Sequence, residues 1–200
     1  LKMINTIYIE DEIADHPRTK KLIKRFPSAT IISCTRYTEI FNRKSQNFRL
    51  QKKNPALILA KKYKGMVLPT PKHYGIGAKY NYYFSHMLNC IYDCRYCFLQ
   101  GMFRSAHYIL FVNYEDFIDE INSTLNKHAS DNVHFFSGYD CDSLALDSVS
   151  NFISDFLPFF ENHQNTLIEL RTKSTQIKSL LQRSSISNCI VAFSFTPNEI

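Results

Sequence analysis

The chain has 200 residues, 44% of them hydrophobic and 21% charged, with a formal net charge of +6. That is enough apolar content for a globular core and too much for a disordered chain, and no run of eighteen apolar residues offers a membrane span. The basic surplus permits an acidic partner without demanding one.

In chain order, residues 6–9 read as a short strand, 17–26 as a helix opened by Pro17, and 29–34 as a buried strand. Together they make a small α/β unit. The stretch 36–65 carries Arg36, Arg43, Lys44, Arg49, Lys52, Lys53, Lys61, Lys62 and Lys64 against one acid, Glu39, around an apolar strand at 56–60. It is either a solvated face or, with Tyr37, Phe41, Phe48 and Tyr63 interleaved, a phosphate-contacting surface. Residues 66–79 hold Pro69, Pro71, Gly75 and Gly77 and read as a connector.

From Tyr80 the pattern alternates. Strands are expected at 81–88, 132–138, 166–173 and 188–195. Helices are expected at 113–129, capped by Asn113, at 143–163, bent or ended near Pro158, and at 174–184. Four strands alternating with helices predict a parallel sheet with helical crossovers, and ending on a strand suggests an incomplete domain. The organisation read from sequence is therefore 1–65, an N-terminal α/β region with a basic stretch; 66–79, a connector; and 80–200, the first part of a larger β/α domain.

The chemistry concentrates in "NCIYDCRYCFLQG", residues 89–101, which spaces Cys90, Cys94 and Cys97 as C-x3-C-x2-C. The opening "LKMINTIYIEDE" lacks the contiguous apolar region of a signal peptide. Clustered cysteines without such a leader suit a metal or cluster site in a reducing cytoplasm better than a disulfide framework. Structural zinc wants four ligands, so zinc would need His86 or His107 as the fourth. A four-iron cluster held by three thiolates instead leaves one iron without a protein ligand, open to a small molecule. The loop follows the first strand of the alternating series, at the end where parallel β/α folds carry their chemistry. Cys34 and Cys189 read as core cysteines.

This spacing resembles that of the radical S-adenosylmethionine enzymes. Within them the chain is similar to the spore photoproduct lyase family, whose members reverse a thymine–thymine photoproduct in DNA. "CIYDCRYCFLQG" resembles that family's "CMGHCHYCYLQT", and "TIYIED", "YILFVNYEDFIDEI", "LIELRTKS" and "VAFSF" resemble its other segments in the same order. The resemblance implies a partial (β/α)6 TIM-like barrel, here truncated after about four strands and preceded by the small α/β region. It implies a 4Fe–4S cluster on Cys90, Cys94 and Cys97, with S-adenosylmethionine (AdoMet) as cofactor. It also implies a lyase acting in DNA repair, with DNA and a reductant such as flavodoxin or ferredoxin as partners and no membrane. Tyr96 matches a tyrosine of the radical site, and Lys173, Ser194 and Cys141 match positions that contact AdoMet.

Two positions depart from the family pattern. Tyr139 stands where the family has its hydrogen-donating cysteine, and Phe98 stands where it has a second tyrosine. If residues 139–141 are extended, Tyr139 and Cys141 share a face and the Cys141 thiol can donate. Otherwise Tyr139 and Tyr96 form a phenolic relay, Cys141 is a small buried thiol, or the substrate is different. A metal-bearing nucleic-acid-binding module without radical chemistry is the alternative from another class.

Overall fold

The computed structural model describes residues 4–195. In chain order they form β1 (Thr6–Glu10), α1 (Pro17–Ile23), β2 (Thr30–Cys34), α2 (Phe48–Lys53), β3 (Leu57–Ala60), β4 (Leu68–Pro69), β5 (Tyr80–Phe84), β6 (Met87–Leu88), α3 (Leu99–Met102) and β7 (Tyr108–Phe111). There follow α4 (Tyr114–Lys127), β8 (Val133–Ser137), α5 (Asp147–Ser150), α6 (Phe152–Glu161), β9 (Thr166–Thr172), α7 (Lys178–Leu181) and β10 (Cys189–Phe193).

The chain divides into two compact units, each with its own five-stranded sheet. The first comprises residues 1–63 and 87–113 and has strand order β2-β1-β3-β7-β6. Its first four strands are parallel, and β6 joins antiparallel, Met87 opposite Leu110. β3 and β7 are buried along their whole length because they are central. β2, at the edge, exposes Ile31 and Ile32. Glu10 is wholly buried yet satisfied: its carboxylate accepts the Tyr37 N–H at 2.7 Å and the Lys61 N–H at 2.8 Å, tying together the segments that follow β2 and β3. The Asn113 side chain serves the same unit, accepting the Lys62 N–H at 2.9 Å and donating to the Lys62 carbonyl at 2.8 Å.

The second unit comprises residues 64–86 and 114–200, with strand order β10-β9-β8-β5-β4. β5, β8, β9 and β10 are parallel and adjacent in chain order, the singly wound pattern with which a β/α barrel begins. An aromatic core covers one face: Phe84 stacks on Phe156 at 5.4 Å, Phe152 lies 4.6 Å from Phe156, and Phe135 meets Phe160 edge-on.

Four expectations change. β2 is not a buried strand: at the sheet edge it exposes Thr30–Ser33 and buries only Cys34. Residues 81–88 are not one strand: Tyr80–Phe84 pairs with β8 in the second sheet, while Met87–Leu88 pairs with β7 in the first. The helical region 143–163 breaks at Asn151, in the left-handed region at φ 53°, which Asn tolerates better than most residues. Pro158 lies inside α6. Residues 139–140 form a turn closed by the Cys141 N–H donating to the Gly138 carbonyl at 3.3 Å, so Tyr139 and Cys141 do not alternate along an extended strand. Among the described residues no helix is long and apolar enough to cross a membrane.

Candidate active site

The cysteine loop belongs to the first unit and is held at several points. Asn89, at φ 68°, turns the chain out of β6 while its side-chain amide donates to the carbonyls of Ser105 (2.7 Å) and His107 (2.8 Å). The Lys52 ammonium, reaching over from α2, donates to the carbonyls of Cys90 and Tyr92, each at 3.4 Å, and lies 3.7 Å from Asp93. Gln100 donates to the Tyr92 carbonyl at 3.2 Å, and the Cys97 N–H to the Cys94 carbonyl at 3.0 Å. Part of the basic stretch is thus committed internally: Lys52 to this loop and Lys61 to Glu12 at 2.6 Å.

Cys90, Cys94 and Cys97 are each partly buried, and none of the six cysteines forms a disulfide. Of the two histidines considered as a fourth ligand, His107 has a ring nitrogen committed. The His107 Nδ1 accepts the Ala56 N–H at 3.0 Å, and burial lowers the ring's pKa, which leaves the proton on Nε2. His86, in the second unit, is buried and stacked on Phe152 at 3.9 Å. Cys90, Cys94 and Cys97 thus share one anchored loop, although among the described residues no three Cys, His, Asp or Glu side chains are gathered as a metal site. Beside it the buried Tyr108 hydroxyl has no hydrogen-bond partner among the described residues. Burial, then the neighbouring Cys90 and Asp93, push Tyr108 up to about 12. It stays an O–H donor suited to a sulfur-rich anion. Tyr96 and Phe98 flank Cys97 and are exposed.

The remaining predicted residues lie in the second unit, at the C-terminal ends of β8, β9 and β10. Their organiser is Asp142, which the sequence did not single out. Its Oδ1 accepts the N–H groups of Leu144 (3.0 Å) and Ala145 (2.9 Å) and the Thr172 hydroxyl (2.6 Å), and its Oδ2 accepts the Lys173 N–H at 2.7 Å. The local pair is an Asx-type turn that a sequence can hint at; the link to β9 is not visible there. Gly138, at φ 72°, admits this loop: a Cβ there would stand 2.6 Å from the Ser143 Oγ and 2.9 Å from its N. The Lys173 ammonium donates to the Ser194 carbonyl at 3.1 Å, and the Ser194 N–H donates to the Thr172 carbonyl at 2.8 Å. Cys141 is buried in the same loop.

Tyr139 sits in an aromatic cluster. Its ring is 4.3 Å from Tyr83 and 5.9 Å from Tyr74, and Tyr74 meets Phe136 edge-on at 4.9 Å. Arg171 lies 5.9 Å over Tyr74 and is paired with the buried Glu169 at 2.7 Å. Burial raises the pKa of both Tyr74 and Tyr83, so these phenols keep their protons at neutral pH. The structure groups Tyr139, Cys141, Lys173 and Ser194 in one unit, and the three cluster cysteines with Tyr96 in the other.

The model of the family described as spore photoproduct lyase matches residues 3–200. The chain belongs to that family. Among solved structures it is similar to a double-mutant spore photoproduct lyase with bound AdoMet and dinucleoside spore photoproduct, at TM-score 0.82 and 18% identity, covering 96% of this chain and 56% of that one. It is also similar to a spore photoproduct lyase complexed with dinucleoside spore photoproduct, at TM-score 0.79, 18% identity and the same coverage. These likenesses show a shared α/β fold. The chain spans a little over half the length of the solved structures it matches. None of the curated proteins matches it.

Proposed function

We propose that the protein is a radical AdoMet lyase of the spore photoproduct type, acting on a thymine photoproduct in DNA within a reducing cytoplasm and taking its electron from a flavodoxin- or ferredoxin-like donor. The observation that carries this reading is the anchored loop of three cysteines, none in a disulfide, with the His107 Nδ1 taken up by the Ala56 N–H. When bound on Cys90, Cys94 and Cys97, a 4Fe–4S cluster with AdoMet supplies the 5′-deoxyadenosyl radical that abstracts hydrogen from the lesion. In this reading the unit of residues 64–86 and 114–200 forms the first part of the catalytic barrel, and the unit of residues 1–63 and 87–113 is the N-terminal α/β region that also carries the cysteine loop.

The chain's own residues have distinct tasks in this reading. Lys173 offers a cation to the AdoMet carboxylate, held in position by its main-chain bond to Asp142 and its ammonium bond to the Ser194 carbonyl. Ser194 and the 141–145 loop complete the wall on which AdoMet lies. Tyr139 returns a hydrogen atom to the product, and Tyr83 and Tyr74 fix its ring. Tyr96, on the cysteine loop, matches a tyrosine of the family's radical site. Cys141, at a different turn position, is held in reserve as a thiol donor.

Iron and sulfide analysis after anaerobic reconstitution tests the class. Close to four irons and dithionite-dependent cleavage of AdoMet are expected; one zinc and no cleavage would establish a metal-bearing nucleic-acid module instead. Repair of a synthetic dinucleoside photoproduct tests the substrate. Tyr139→Phe is expected to divert product partitioning, whereas Cys141→Ala is not; the reverse result assigns the donor to Cys141.

A further inference from the structure

Between Glu39 and Glu115 the sequence holds twelve lysines and arginines and a single acid, Asp93. Within the first unit this bias has a definite location. Lys52 on α2 takes up Asp93. The Gln51 Oε1 accepts the Ala106 N–H at 2.9 Å, and the Asn42 Oδ1 accepts the Arg104 N–H at 2.8 Å. These bonds, with Phe41 against Phe103 at 5.0 Å, bring residues 42–53, the cysteine loop and residues 103–106 onto one side of the unit. That side exposes Arg43, Lys44, Arg49, Lys53, Arg95 and Arg104. Besides Asp93, the acids of the same unit are Glu10, Asp11, Glu12, Asp15 and Glu39, of which Glu10 is buried, Glu12 is paired with Lys61 and Asp15 with Lys20. Tyr96 and Phe98, which flank Cys97 in the cysteine loop, are 55% and 58% exposed.

The geometry points to this face as a docking surface for the phosphodiester backbone of DNA, continuous with the loop that carries the three cysteines. Cations free of ion pairs among the described residues gain most from phosphates, because binding releases condensed counterions without first breaking a salt bridge. Two exposed aromatic rings among six cations also match the stacking platforms on which unpaired bases rest. The face would hold a phosphodiester strand of the substrate. This rests on the proposed repair function for its choice of DNA.

The test is fluorescence anisotropy of a labelled, undamaged oligonucleotide, single-stranded and duplex, titrated with the protein over a range of salt. Each cation removed from a phosphate should flatten the slope of log affinity against log salt by about 0.7 to 0.9. The pairs Arg49→Gln/Lys53→Gln and Arg95→Gln/Arg104→Gln should each weaken binding roughly tenfold or more at low salt, with unchanged thermal unfolding. The control pair Lys21→Gln/Lys24→Gln, at the end of α1, should change it less than twofold. Equal effects in all three pairs, or none, would overturn the surface. AdoMet cleavage is scored separately. Cleavage with unaffected DNA binding in the pairs discards the surface and keeps the enzyme. Weakened DNA binding without cleavage keeps the surface and discards the enzyme.

Discussion

The Asp142 carboxylate accepts the backbone N–H of Lys173 at 2.7 Å, across from one strand end to the next. Through this bond, and the one to the Thr172 hydroxyl, a single buried carboxylate fixes both the loop that carries Tyr139 and Cys141 and the strand end that carries Lys173. Asp142→Ala leaves four donors without their acceptor. We expect a loss on the order of 2–4 kcal/mol in urea unfolding and a weaker AdoMet complex by equilibrium dialysis. Asp142→Asn, which keeps one acceptor oxygen, should recover part of both.

Lys52 holds the cysteine loop through two carbonyls and Asp93. Lys52→Met keeps the aliphatic stem and removes the donor. The variant should take up iron but lose it several-fold faster to a chelator, while α2 and the sheet remain intact by circular dichroism. Retention equal to the parent would show that the loop holds its shape without the ammonium.

The cysteines should separate by reactivity in cluster-free protein. Burial pushes both Cys34 and Cys189 up to about 11, with the neighbouring Glu10, Glu39 and Asp11 adding to the effect at Cys34. At pH 8 only about one thiol in a thousand at such a site is thiolate. Iodoacetamide followed by peptide mass mapping should modify Cys90, Cys94 and Cys97 well before Cys34 and Cys189. Reconstitution with iron and sulfide should then protect the three loop cysteines alone.

His134 on β8 is fully buried and lies 4.1 Å from the Phe136 ring, with neither ring nitrogen hydrogen-bonded among the described residues. Burial pushes it down to about 4 from the usual value of 6.5. The unfolded chain therefore binds a proton first as pH falls. The stability that the neutral ring contributes is complete above about pH 6.5 and is lost progressively between about pH 6.5 and 4. The loss should be on the order of 2–3 kcal/mol. Thermal unfolding of the parent should fall more steeply over that range than that of His134→Phe.

Much of the site was legible because its chemistry is local. Three cysteines in eight residues need no tertiary information, and the alternation of strands and helices after Tyr80 reflects burial on both faces of a parallel sheet. Long-range choices were not legible. Nothing local marks where 81–88 leaves one sheet for the other: Phe84 and Met87 are both apolar, and only their partners, Ser137 and Leu110, differ. β7 is a continuous apolar run with no alternation to reveal it. The turn at 139–140 depends on Gly138 and on Asp142 reaching β9, a bond between residues thirty positions apart in sequence.

The split of residues 81–88 also orders events on the ribosome. The outer edge of β3 is completed only by β7, and β7 in turn carries β6. Residues 1–63 therefore leave the exit tunnel with a buried-type strand bare on one side. They remain so until residue 111 has emerged, by which time β5 of the second sheet has already been synthesised. Because the chain passes between its two units at residues 63, 86 and 113, no single proteolytic cut releases either one whole. Nascent-chain arrest before residue 108 should leave the first sheet protease-sensitive, and arrest well beyond 113 should protect it.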